Sequence, residues 1–203
     1  MNASARQLIN SSTRQLVNSP YQPDRDAGGY RVVPGHGPRV RSDVVEVMVF
    51  RAADEGVGEQ GAAELLQIQR AKEPLKGTWQ PVMGHIEAGE TAVAAALREL
   101  DEEVGLSAAG EACLGVWALE QVHPYYIAAI DCVMLPPRFA ARVGPGWVPR
   151  LNDEHTAHRW VRAAEAAKWF MWPGQAAAAR ELIEHLLAPG SACREALRIE
   201  TRG

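Results

Sequence analysis

The chain has no run long and apolar enough to span a membrane. Its most apolar stretch, Tyr125 to Pro137, is broken by Asp131 and closes on Pro136-Pro137. The N-terminus has no apolar signal core. Three cysteines, Cys113, Cys132 and Cys193, are odd in number and lack ligand spacing. A disulfide framework and a structural zinc are therefore not expected, and the thiols fit a reducing, cytoplasmic setting. Lys and Arg number 21 against 25 Asp and Glu, for a net charge of −4, with no block of one sign. That leaves no basic footprint for nucleic acid. Gly144-Pro145-Gly146 lacks the Lys-Ser/Thr pair and following helix of a P-loop, and reads as a turn between extended segments.

What is present fits one domain with extensions in 203 residues, 47% of them hydrophobic and 23% charged. Residues 1–40 form an N-terminal extension, partly disordered, with no acidic residue before Asp24. Within it Arg6–Ser11 is echoed at Arg14–Ser19, too little for a repeat architecture. A loose tail, a docking helix or a transit peptide would each carry this composition. Gly28-Gly29, Pro34-Gly35 and Gly37-Pro38 then make a linker. The folded body is placed at 41–188 and a C-terminal tail at 189–203.

Within the body, Val44–Phe50, Leu65–Arg70 and Trp79–Met83 read as strands and 56–62 as a glycine-rich loop. Val93, Ala96, Leu97, Leu100 and Val104 recur at helical spacing over 91–104, with Thr91 as cap and Gly105 as stop. Leu114–Val122 and Tyr126–Leu135 read as further strands, 163–168 as a short helix and 174–187 as a longer one. The order β-β-β-α-β-β-α predicts an α/β fold, a sandwich with a mixed β-sheet between helices.

The chemistry is concentrated at the end of the first helix. Glu99, Glu102 and Glu103 stand at i, i+3 and i+4 and so share one face, where like charges repel. A solvated acidic face is one outcome of such a run. A hard-cation site is the other, since magnesium and manganese take carboxylate oxygens together with substrate phosphates.

Gly84, Glu90, Arg98, Glu99, Leu100, Glu102, Glu103, Gly105 and Leu106 meet all nine constrained positions of a known box. A chance match is on the order of 10⁻⁷. On these residues the chain resembles the Nudix hydrolase family, over roughly 44–187. The resemblance implies a Nudix α/β/α sandwich and Mg2+, with Mn2+ able to substitute. It implies metal ligation by Glu99, Glu102, Glu103 and the Gly84 carbonyl, and hydrolysis of a phosphate-phosphate bond by water. Glu102 and Glu103 also enter as catalytic residues. Gly89 and Gly105 permit tight turns. Arg98 is expected to point away from the glutamate face and to bridge to Glu90. The family often dimerises, which makes a homodimer an option.

Flanking segments resemble the branch that hydrolyses nucleoside triphosphates and dihydroneopterin triphosphate. These are Leu65–Arg70, Trp79–Gly84, and Asn152-Asp153-Glu154-His155 with Trp160. The expected substrate is therefore a small nucleotide-like triphosphate, cleaved with release of pyrophosphate. Dinucleoside polyphosphates and ADP-ribose are the alternative, and a nucleotide-binding module without catalysis the remote one. Glu154 is a candidate further ligand or general base, or else a loop acid. Arg70 is a candidate phosphate contact, or else a strand-end charge. Of His123, Tyr125 and Tyr126, one is expected to line the substrate pocket. Taken singly, Tyr126 reads as core and His123 as exposed.

Overall fold

The structure, a computed structural model, describes residues 37–52 and 63–201. Most of the extension and the loop read at 56–62 lie outside the described residues. The elements run β1 (Arg39–Arg41), β2 (Val44–Arg51), β3 (Glu64–Arg70), β4 (Trp79–Gln80), β5 (Val82–His85), α1 (Ala92–Val104), β6 (Cys113–Ala118), β7 (Tyr125–Ile127), β8 (Cys132–Met134), β9 (Arg138–Val143), β10 (His155–Arg162), α2 (Ala166–Trp169), α3 (Pro173–Glu181), α4 (Cys193–Ala196) and β11 (Arg198–Ile199).

Strand β2 shows how the layers arise. Successive side chains of a strand face opposite ways. Val45, Val47 and Val49 pack with Ala95, Ala96, Leu100 and Val104 of α1. Met48 and Phe50 pack with Ala178, Ala179, Leu182 and Leu186, on α3 and the π turn that prolongs it. A mixed sheet thus lies between two helical layers, as its sequence predicts. Its order is β10-β3-β2-β9-β6-β11, with β4 added to β3 and β5 to β2. The β2–β9 pair is parallel; its neighbours β2–β3 and β9–β6 are antiparallel. A separate sheet joins β1, β8 and β7.

The functional region arises where β2 and β3 part. Among the described residues they pair only at Phe50↔Leu65 and Arg51↔Glu64. Beyond that β3 takes β4, and β2 takes β5. The segment read as one strand over 79–83 is therefore two, changing partner at Pro81, which has no N–H to donate to a ladder. Helix α1 follows. The Thr91 side chain accepts from Ala94 N at 3.1 Å. Gly105, at φ 68°, closes the helix with its N–H on Asp101 O at 3.0 Å.

The structure adds to the sequence reading at several points. The strand read over 126–135 is β7, a 3₁₀ turn and β8, because Asp131 sits at positive φ and breaks the ladder. Strand β9 lies at the centre of the sheet, yet its Arg138 and Arg142 hide it from a search for apolar runs. Residues 189–203, read as a C-terminal tail, include β11, which pairs Arg198↔Trp117 and Ile199↔Val116. At the other end Arg39 and Val40, placed in the extension, pair with Cys132 and Val133.

Candidate active site

Helix α1 packs across β5, and this brings the box together. Glu103 is almost fully buried. Its Oε2 accepts from Met83 N at 3.1 Å. Burial, then the charges of Glu99 and Glu154, push its carboxyl up to about 9; the Met83 N–H and Arg70 pull the other way. Glu99 lies on Gly84 so closely that a Cβ there would stand 1.8 Å from its Oε1. The glycine is needed for space: Gly84 is not among the positive-φ glycines. Burial raises the Glu99 carboxyl, and the bond from Arg98 opposes that. Glu102, on the outer side, is exposed.

Arg98 corrects its expectation. Its Nε and Nη2 do meet Glu90, each at 3.1 Å, and Nη2 also donates to His85 O at 2.8 Å. But Nη1 turns toward the glutamates, reaching Glu99 Oε1 at 2.8 Å and Glu102 Oε2 at 2.9 Å. These acceptors hold its pKa above the ordinary value. The long side chain spans both sites, because Glu102 is its i+4 neighbour. With the guanidinium across Glu99 and Glu102, and Glu103 facing Met83, no three acidic or imidazole groups form a ready metal cluster among the described residues.

The late segment approaches from β10. The Glu154 main-chain oxygen accepts from Ala71 N at 2.8 Å, which brings Glu154 beside the end of β3. Its carboxylate is exposed and 3.6 Å from Lys72. Its charge is felt at both Glu99 and Glu103. Arg70 is paired with His155 across the strands and donates from Nε to Pro74 O at 2.9 Å. His155, absent from the expected site, is buried with Nε2 3.7 Å from Glu103 Oε1. Its Nδ1 lies 3.1 Å from Asn152 Oδ1, which also accepts from Glu154 N at 3.0 Å. The imidazole pKa is lowered, first by burial. The signal for His155 was the string Asn152–His155, read for its glutamate alone.

His123 lies against α3 of the other helical layer, whereas Tyr125, on β7 of the small sheet, is exposed. Glu46 and Arg138, on adjacent strands, form a buried ion pair, Nε to Oε2 2.6 Å. Gly174 brings α3 against Arg138 and His123: a Cβ there would stand 3.1 Å from Arg138 Nη2 and 3.2 Å from the His123 Cβ. His123 is thus half-buried, and its pKa falls through burial and Arg138. Tyr126 is 56% exposed, its hydroxyl on Asp131 Oδ1 at 2.7 Å. The structure reverses the two single readings, because β7 belongs to the small sheet and Tyr126 points off it. Met83 touches both regions, its N–H on Glu103 and its sulfur 3.8 Å from Gln175 Nε2.

The sequence matches the NUDIX domain family over residues 44–186. With a buried glutamate pair against a glycine strand, that match makes the protein a hydrolase of phosphate-phosphate bonds. The match covers well over half of the chain, and the protein belongs to the Nudix hydrolase family.

Solved structures of similar fold include the E. coli dihydroneopterin triphosphate pyrophosphohydrolase. That pair has a TM-score of 0.57 and 24% identity, over 72% of this chain and 97% of the other. The C. elegans Ap4A hydrolase binary complex gives 0.55 and 20%, over 70% and 95%. The NUDIX domain of Shewanella oneidensis NrtR with ADP ribose gives 0.51 and 16%, over 83% and 96%. A curated protein of Myxococcus xanthus named octanoyltransferase is 32% identical over 123 residues, 58% of this chain. The matched stretch spans only 31% of that relative. No helix among the described residues is long and apolar enough to cross a membrane.

Proposed function

We propose that the protein is a magnesium- or manganese-dependent pyrophosphohydrolase of a nucleoside triphosphate or a related pterin triphosphate. The observation that carries this is the Glu99 carboxylate seated on Gly84 with no room for a Cβ, beside the buried, proton-retaining Glu103. Crowded hard oxygen donors fit magnesium better than a soft or borderline metal. Glu99, Glu102, Glu103 and the Gly84 carbonyl would hold the ions, and Arg98 would yield Glu102 while keeping Glu90. Bound there, the ions supply charge neutralisation for the polyphosphate and lower the pKa of water.

The chain's own groups do the rest. Arg70, at the end of β3, orients the phosphates. Water adds to the α-phosphorus, the bond to the bridging oxygen breaks and pyrophosphate leaves. Glu154, exposed at the rim and coupled in charge to Glu99 and Glu103, accepts the proton or completes the ligand set. Asn152 fixes the ring of His155 beside Glu103. The Glu46–Arg138 region with His123 and Tyr125 stands behind Met83, on the side where the rest of the substrate would lie. Three unbridged cysteines suit a cytoplasmic enzyme.

The test is product analysis with magnesium over nucleoside triphosphates, dihydroneopterin triphosphate, diadenosine tetraphosphate and ADP-ribose. Pyrophosphate from a triphosphate is the expected product. Cleavage confined to the dinucleotide or ADP-ribose would overturn the substrate reading. Glu154→Gln is expected to lower kcat roughly a hundredfold, less than the loss at Glu103. Turnover equal to the parent would remove Glu154 from the mechanism.

A further inference from the structure

Arg159, on β10, is a half-buried cation that no carboxylate among the described residues faces. Its pKa is lowered, with burial the sole cause. Its Nε donates to Gln67 Oε1 at 2.8 Å. Gln67 is fully buried, and its Nε2 donates to Trp169 O at 3.0 Å. Both ends of that amide are engaged, so Gln67 cannot turn and the guanidinium plane is fixed. The guanidinium lies over Trp79 at 4.2 Å and Trp169 at 4.8 Å. Among the described residues its two η nitrogens meet no hydrogen-bond acceptor. A partly desolvated arginine held this rigidly presents a ready-made donor fork.

Its place matters as much as its geometry. Arg159 stands four residues along β10 from His155, which faces Glu103. A bulge between His155 and Ala157 turns Arg159 to the α3 side of the sheet. It sets His155 and Arg159 opposite Arg70 and Gln67, three β3 residues or roughly 10 Å apart, about the span from a nucleoside's 5′ phosphate to its base. The surroundings are aromatic and open: Trp169 is 40% and Trp172 47% exposed. Gln175, whose N donates to Trp172 O at 3.0 Å, leads back to Met83 and so to Glu103. A bare anion needs only the charge. Indole surfaces beside the fork suit a planar ring.

We propose that Arg159, oriented by Gln67 over Trp79 and Trp169, reads the ring of the substrate. It donates two hydrogen bonds to a fused heterocycle whose outer edge sets an oxo group beside a ring-nitrogen lone pair, as in a 6-oxopurine or a 4-oxopteridine. Two adjacent acceptors match two parallel N–H donors. Adenine and cytosine place an amino group on that outer edge, which opposes donor to donor and leaves a buried polar group unpaired. This inference rests on the triphosphate reading, and its test separates the two.

The experiment measures kcat/KM for GTP, dihydroneopterin triphosphate, ATP and CTP with the parent, Arg159→Met and Arg159→Lys. In parallel, tryptophan fluorescence is titrated with guanosine, neopterin, adenosine and inorganic pyrophosphate. The parent is expected to favour the oxo rings over ATP and CTP by about tenfold to a hundredfold, the discrimination of one bidentate arginine contact. Both variants lose that preference, and Arg159→Lys, which keeps the charge without the fork, shows that the folded protein survives. The larger of the GTP and dihydroneopterin triphosphate values identifies the ring. Equal turnover of GTP and ATP by the parent overturns the fork and leaves hydrolysis standing. Weakening of pyrophosphate as much as of guanosine also overturns it, since Arg159 would then bind phosphate. No triphosphate turnover, with guanosine or neopterin still preferred and the preference lost in Arg159→Met, sinks the hydrolytic reading and keeps the fork.

Discussion

Glu103→Gln is expected to lower kcat roughly a thousandfold while making the metal-free protein more stable. Both effects follow from one buried carboxyl. Its native pKa is about 9 against an ordinary 4.5. Between those values the unfolded chain has released its proton and the native protein holds it. The native state thus binds more protons, and stability falls as pH rises. The contribution is complete below about 4.5 and is lost progressively up to about 9. Near neutral pH the cost is a few kcal/mol. Glutamine keeps the shape and removes the titration. Its thermal midpoint at pH 8 should exceed the parent's by several degrees, with the gap closing at pH 5. Magnesium reverses the order, because cation binding favours the ionised parent. A midpoint for Glu103→Gln below the parent's at pH 8 without metal would refute the assignment of strain to this carboxyl.

The second large effect is expected at Gly84. In Gly84→Ala the new methyl meets Glu99 Oε1 at 1.8 Å and Cδ at 1.9 Å, so the carboxylate must move. The displaced group is the end of a flexible side chain, and Gly84 does not need positive φ, so the fold should lose about 1 kcal/mol or less. Function should lose more. Glu99 is held in place by Arg98 at 2.8 Å, and a shifted carboxylate no longer rests on Gly84. Half-maximal activity is expected to need roughly tenfold to a hundredfold more magnesium. A magnesium titration decides the point. An unchanged midpoint would mean that Glu99 and Gly84 do not share an ion.

The box was legible because its chemistry is local. Glutamates at i, i+3 and i+4, a cap and a stop lie within a few helical turns, and a helix fixes their mutual placement without tertiary information. What escaped depended on distant pairings. Strand β9 carries arginines at both ends of its run, and only the partner Glu46, 92 residues away, makes Arg138 a core residue. His155 gained meaning only when β10 paired with β3 and set it against Glu103. Arg98 was misjudged because helical spacing places Cβ atoms, whereas a guanidinium at the end of a long stem spans two faces. Tyr126 was misjudged because Asp131 breaks a run that reads as one strand.

The same 92-residue separation has a consequence for how the molecule assembles. The parallel β2–β9 ladder and its buried ion pair stand at the centre of the sheet, and closing so long a loop is entropically slow. The β4–β5–α1 segment pairs with β3 and β2 at much shorter separations, at most 41 residues for Val44↔His85. That segment should therefore acquire its shape early in refolding, while the sheet beneath it is still unlocked. Amide protection in α1 would then precede protection in β9.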